Sequence, residues 1–264
     1  MSWIEVLVLS IVQGLTEFLP VSSSAHLVFV PKLFNWADQG LAFDVATHVG
    51  TLFAVIIYFR KEIFVIIKDW VLSIKHQKKV GESKLAWALI LATIPTCVAG
   101  LFLHSYVEEY ARSSFNIAIG SIVFGVILYI ADRKKGIKTE ANMTLYLALI
   151  IGFAQVFALM PGVSRSGITL TAALFLGFSR VSAARFSFLL SVPVIFLAGI
   201  YEASKLISSE SFVEWDKVLG GVLFSFMSGY LCIYLFLKMI SKYSMTPFVI
   251  YRICLGFLLL YFLT

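Results

Sequence analysis

Two short stretches decide the fold: Pro20-Val21-Ser22-Ser23-Ser24-Ala25 and Pro161-Gly162-Val163-Ser164-Arg165-Ser166-Gly167. They match when one glycine is looped out, and each lies between two apolar helical runs. Around them the chain is built for lipid. Of its 264 residues, 60% are hydrophobic and 14% charged, with a mean hydropathy of +0.93. An ordinary soluble domain has roughly 45–50% apolar and about 25% charged residues. Folding at this length buries only about three quarters of the unfolded surface, and the apolar residues come in long blocks instead of alternating faces. A water-soluble globule is excluded.

A spanning helix needs about 20 mostly apolar residues. Six runs meet or approach that length: 41–59, 85–103, 115–131, 186–201, 218–237 and 247–263. The net charge of +6 reads as topology. Residues 60–84, read as a loop, carry seven Lys/Arg against three acids, and 132–140 carry four against two, which marks both as cytoplasmic. Residues 104–112 hold one Arg beside Glu108 and Glu109, and 201–217 hold two Lys against four acids. Those two face outward.

Orientation then constrains the remainder. If 41–59 runs from the outer to the inner side, 1–40 begins and ends outside, so it dips in and returns. Residues 142–178 begin after a basic loop and end at Arg180 and Arg185, so they dip from the inner side. Each dip is followed by three spans. The chain therefore reads as an all-α polytopic membrane protein, one membrane domain over 1–264, with an inverted-topology repeat of units 1–131 and 142–264. Each unit opens with a re-entrant helix-loop-helix segment. Such repeats place their site near the bilayer midplane, where broken helices meet, and irregular backbone at that depth needs protein or a wet cavity around it. The two Pro-Ser loops are expected to face each other.

The polar residues inside these segments are functional candidates, because charge in lipid is costly. Arg165 lies between Ser164 and Ser166, with Thr169 one helical turn on. A planar guanidinium fork suits phosphate, and hydroxyls at a helix N-terminus add donors for an anion. In the first unit Gln13 and Glu17, four apart, share a helix face. The Ser22-Ser23-Ser24 loop and His26 follow. Glu17 is suited to complement Arg165 or to hold a divalent cation, which takes one or two carboxylates together with substrate phosphates. A serine near a histidine has the makings of an activated nucleophile or a general acid.

Other features read more blandly. Cys97, Cys232 and Cys254 lie in apolar runs without CxxC spacing, as inert thiols. Asp44 and His48 share a helix face and line a cavity wall, Gln155 supports the Arg165 loop, and His76 and His104 are solvated loop residues. Glu5, Gln13 and Glu17 interrupt the first apolar run, so it reads as part of the mature protein instead of a signal peptide. No basic stripe with interleaved aromatics points to nucleic acid.

The segment from Gln13 through Glu17 and Pro20 to His26 resembles the (E/Q)xxxE motif, serine loop and histidine of the integral-membrane undecaprenyl pyrophosphate phosphatases, or bacitracin-resistance proteins. Residues 161–169 resemble their PGxSRSxxT motif, and the likeness covers essentially the whole chain. The resemblance implies hydrolysis of undecaprenyl diphosphate to undecaprenyl phosphate and inorganic phosphate. That reaction recycles the lipid carrier for peptidoglycan and confers bacitracin resistance. The resemblance also implies a divalent cation, Mg²⁺ or Ca²⁺, and a multi-pass location in the bacterial cytoplasmic (inner) membrane with the site open to the periplasmic side. It is compatible with a homodimer. Residue by residue, it implies metal and pyrophosphate binding by Glu17 and Gln13, and catalysis by His26 with Ser23 as nucleophile. Arg165, Ser164, Ser166, Thr169 and Ser22 then hold the diphosphate. Gln13 is the neutral choice at its position, which leaves Glu17 as the anionic ligand. Either Ser23 attacks with His26 handling its proton, or a water attacks with His26 as base. The alternative from another class is a polyprenyl-phosphate flippase, because opposed broken helices are also a transport architecture.

Overall fold

The structure is a computed structural model and describes residues 1–106, 113–208 and 213–263. These residues are helical almost throughout and include no strand. The helices are α1 (Trp3–Phe18), α2 (Ser23–Phe34), α3 (Leu41–Tyr58), α4 (Arg60–His76), α5 (Ser83–Tyr106), α6 (Ser114–Asp132), α7 (Leu145–Val156), α8 (Arg165–Phe175), α9 (Arg180–Ser208), α10 (Trp215–Ile240) and α11 (Thr246–Leu263). Five are long and apolar enough to cross a membrane: α3, α5, α6, α9 and α10. The sixth expected span corresponds to the shorter apolar helix α11. Both expected dips are helical pairs broken at the Pro-Ser loops, α1–α2 and α7–α8. Residues 107–112, most of the first expected outer segment, lie outside the described residues, as do 209–212 of the second.

One expected loop is a helix. Within 60–84, α4 carries Ile63, Ile66, Ile67, Trp70 and Ile74 at helical spacing between lysines, so it is amphipathic and too polar to register as a span. Ile66 is buried while Phe64, Ile67, Val71 and Ile74 are exposed. Lys75 and His76 in its last turn suit the negative end of the helix dipole. His76 therefore closes a helix, and His104 falls within α5, its side chain outside the described ones.

Contacts between chain segments sort the loops onto two sides. On one, the Met1 ammonium lies 3.2 Å from Glu214 and Lys32 Nζ donates to Ser114 Oγ at 3.2 Å. On the other, Arg180 Nε donates to Asp132 at 2.5 Å, and Arg185 donates to Glu62 at 2.6 Å and to Glu140 at 2.7 Å. These acids let α9 start at Arg180, six residues before the expected span: the arginines of its first two turns are neutralised instead of entering lipid bare. Burial raises the pKa of Glu62, and Arg185 opposes that shift.

The helices pack with partners from far along the chain. α10 lies against α3 and α1, α5 against α7 and α9, α6 against α11, and α3 against α9. Small residues permit the closest approach, as expected in lipid. A Cβ on Gly14 would fall 1.9 Å from Ser228 Oγ and 2.7 Å from Gly229 N, so α1 meets α10 nearly backbone to backbone. The largest apolar core runs through Phe18, Phe59, Phe178, Phe186, Phe188 and Phe236. Phe18 and Phe188 meet edge to face at 5.3 Å, just below the loops.

Candidate active site

Each Pro-Ser loop ends in a serine with positive φ that leads into the returning helix. Ser22 has φ 73° and ψ 95°, and Ser164 has φ 71° and ψ 115°. Non-glycine residues rarely occupy this region, and such strain clusters at functional sites. The hydroxyls also match: Ser22 Oγ lies 3.2 Å from Ser24 Oγ, and Ser164 Oγ lies 3.2 Å from Ser166 Oγ. Ser164 Oγ further caps α8 by accepting from Gly167 N at 3.1 Å. The glycine looped out of the match, Gly162, has φ 89°, and a Cβ there would sit 2.2 Å from the Ile117 carbonyl. The loops touch, because Ser166 Oγ donates to the Leu19 carbonyl at 2.8 Å.

Glu17 is the hub. Its Oε1 accepts from Arg165 Nη2 at 2.7 Å, and its Oε2 accepts from Gln13 Nε2 and Ser23 Oγ, both at 2.9 Å. His48 Nε2 lies 3.8 Å from the same oxygen. The expected pairing of Glu17 with Arg165 across the two loops is therefore formed, between side chains 7% and 12% exposed. Arg165 Nη1 also donates to the Ser187 carbonyl at 3.3 Å. Thr169 sits behind it: its hydroxyl donates to the Arg165 carbonyl at 2.9 Å and meets Ser187 Oγ at 2.7 Å. Thr169 thus fixes the turn that carries the guanidinium. Gln155 lies apart from this cluster, donating to Thr96 Oγ1 at 3.0 Å.

His26 is placed differently from Ser23. Its Nδ1 lies 2.7 Å from the Ser22 carbonyl and its Nε2 lies 2.6 Å from the Tyr251 hydroxyl. Ser23 turns to Glu17 instead. Of the nine residues singled out by sequence, Gln13, Glu17, Ser23 and Arg165 form one hydrogen-bonded cluster. Ser22, Ser164, Ser166 and Thr169 build the loops around it, and His26 stands on the first turn of α2 with its ring engaged by α11.

Two further residues belong to the site and come from α11. Arg252 is fully buried, and its Nη2 donates to the Gly162 and Val163 carbonyls at 2.9 and 2.8 Å. Its Nη1 reaches the Pro20 carbonyl at 3.4 Å. One side chain therefore holds both loops, and among the described residues no carboxylate pairs with it. The signal was present as a lone arginine in an apolar run. Tyr251 carried none, since a tyrosine in a spanning segment ordinarily marks an interface. His48, expected at the cavity wall, reaches the hub itself, with its Nδ1 donating to the Asp44 carbonyl at 2.8 Å.

Chemically this is a buried carboxylate and guanidinium, ringed by hydroxyls, between two helix N-termini. Each helix start favours negative charge through its free N–H groups. Such a set suits an anion of high charge, with a hydroxyl nucleophile and a carboxylate beside it.

Comparison with known proteins agrees with this chemistry. The family model described as bacitracin resistance protein BacA matches residues 6–258. A Campylobacter curvus protein named undecaprenyl-diphosphatase is 55% identical over 261 residues, covering 99% of both chains. A Hahella chejuensis protein of the same name is 54% identical, covering 97% of this chain and 96% of its own. With both loops, the hub and every helix but the first residues of α1 and the last of α11 inside the matched region, this chain belongs to the bacitracin-resistance protein family.

Proposed function

We propose that this chain is an undecaprenyl-diphosphate phosphatase, releasing inorganic phosphate and undecaprenyl phosphate. The observation that carries the reading is the Glu17–Arg165 pair, 2.7 Å apart where two hydroxyl-lined helix N-termini meet. The names of the relatives point the same way. The lipid tail lies along the apolar outer surface and the diphosphate enters between the loops. Arg165 and the hydroxyls of Ser22, Ser164 and Ser166 then meet its charge, because positioning and electrostatics dominate phosphoryl transfer.

Ser23 is the nucleophile in this reading. Its Oγ attacks the terminal phosphorus, the bridging P–O bond breaks toward undecaprenyl phosphate, and water later releases phosphate from the serine. Its hydrogen bond to Glu17 gives the hydroxyl proton a carboxylate to go to. The expected proton transfer from Ser23 to His26 has no such contact, which leaves His26 as the base for the water that releases phosphate from the serine. A divalent cation fits the same corner: Gln13 Oε1 is buried without a hydrogen-bond partner among the described residues, beside the Glu17 carboxylate. One carboxylate, one amide oxygen and substrate phosphates make a donor set of the kind Mg²⁺ takes. When bound, the cation supplies charge neutralisation at the phosphates. Gln13 and Glu17 would hold it.

The two units of the inverted repeat are supported by the matched serine geometry and by the way helices of each half pack on those of the other. An N-terminus on the outer side of the cytoplasmic membrane is supported by Met1 meeting Glu214 of the acidic 201–217 segment, opposite the basic segments, and in this reading the site opens to that same side. The deciding assay is phosphate release from undecaprenyl diphosphate by the purified protein in detergent. Arg165→Ala and Glu17→Ala, shown to be folded, are expected to lose at least about 100-fold. Wild-type rates in both would overturn the assignment. Movement of labelled lipid across vesicles without hydrolysis would establish the flippase instead. A trapped phosphoserine supports Ser23, whereas solvent oxygen entering phosphate directly, with no enzyme intermediate, supports water.

A further inference from the structure

We propose that Tyr251 is the positioning residue for His26: the Ser22 carbonyl fixes the hydrogen on Nδ1, and the hydroxyl of the last helix holds Nε2, the ring nitrogen left to accept a proton. The argument rests on two contacts. Nδ1 faces the Ser22 carbonyl at 2.7 Å, and a carbonyl can only accept, so Nδ1 carries the hydrogen. In the neutral ring Nε2 is then the acceptor, and its partner is the Tyr251 hydroxyl at 2.6 Å. The two ring planes are nearly parallel, 3° apart with centroids at 5.6 Å, so the tyrosine ring packs in register with the imidazole that its hydroxyl holds. His26 is 5% exposed, which leaves little water to substitute for the tyrosine.

The placement matters because the next residue, Arg252, bonds the carbonyls of Pro20, Gly162 and Val163. α11 therefore grips the backbone of both loops with one side chain and the histidine with its neighbour. A shift of α11 relative to the loops changes both at once. Partners of this kind, which fix the tautomer and orientation of a functional histidine, typically contribute 10–100-fold to activity at metal sites.

The functional part of this inference rests on the proposed hydrolysis, so the test separates the two. Nitrogen-15 spectra of histidine-labelled protein, with the His26 signals assigned by their loss in His26→Gln, are expected to show the Nδ1–H tautomer in the wild type. In Tyr251→Phe, which keeps the ring and removes the hydroxyl, the His26 Nε2 signal is expected to shift. In the same variant kcat for undecaprenyl diphosphate is expected to fall about tenfold with KM within about twofold. Tyr243→Phe, an exposed tyrosine, is the control and leaves all three unchanged. An Nε2–H tautomer in the wild type refutes the proposal without any variant. An unshifted His26 signal, or an unaltered kcat, in folded Tyr251→Phe also refutes it. If the protein hydrolyses no diphosphate at all, the spectra still decide the tautomer claim while the functional reading fails separately.

Discussion

Arg252→Met tests the buried clasp most directly. Methionine keeps an unbranched apolar stem of similar length and removes the five donors of the guanidinium. Two short bonds are lost, to Gly162 at 2.9 Å and Val163 at 2.8 Å, with a longer one to Pro20 at 3.4 Å. Hydrogen bonds to a charged group are each worth roughly 1.5–3 kcal/mol, so the two short ones sum to about 3–6 kcal/mol. Against this, a buried guanidinium costs several kcal/mol in desolvation that methionine does not incur. Ser121 Oγ, 3.4 Å from the Gly162 carbonyl, also remains as a partial donor. The net loss of stability is expected to be on the order of 1–3 kcal/mol, small for so deeply buried a charge. Activity is expected to fall much further. A displacement of about 1 Å between reacting groups costs on the order of 100-fold, and Arg252 bonds both loops that carry Glu17 and Arg165. Denaturant unfolding in micelles and phosphate release from undecaprenyl diphosphate measure the two effects on the same samples. Hydrolysis within threefold of wild type would refute the clasp, and so would a loss of stability matched by no loss of rate in the folded fraction.

Two other substitutions probe the surrounding frame. Gly14→Ala drives a Cβ into Ser228 Oγ and the backbone of Ser225 and Gly229, so thermal stability and hydrolysis should both drop, by an overpacking cost of roughly 1–3 kcal/mol; Gly199→Ala on α9, with open space around it, should leave both unchanged. Burial holds the Glu62 carboxyl above its usual range despite Arg185, so the folded state binds that proton more tightly and loses stability as pH rises through the raised value. Glu62→Gln is then expected to flatten the melting-temperature profile from the ordinary carboxylate range toward neutral pH and to melt no lower than wild type at neutral pH, and a clear drop there would reverse the sign.

Much of this arrangement is written locally and could be read from residue type. The long spans follow from hydropathy, and the breaks at Pro20 and Pro161 from turn chemistry inside apolar runs. Glu17 and Arg165 stand out because ionised groups in lipid must find each other. What sequence does not carry is direction. Nothing in Ser23 or His26, three residues apart, reveals that one turns to Glu17 and the other to a tyrosine 225 positions on. Arg252 was visible as a charge in an apolar run, yet its three carbonyl partners are backbone and leave no complementary acid to search for. The helix α4 was hidden for a different reason, because its apolar stripe is interleaved with the basic residues that mark a cytoplasmic connection.

The intimate contact of α1 with α10 also sets a schedule. Leu15 and Cys232, in contact across that interface, are 217 residues apart. At about 5–20 residues per second, a ribosome needs roughly 10–40 s to make the chain between them. For that interval α1 has only α2 and α3 of its main helix partners beside it, and α10, against which it packs most extensively, is still being made. The lasting insertion of α1 must trail that of the later spans or depend on shelter by the translocation machinery. The site's first residues to be synthesised are thus among its last to be enclosed.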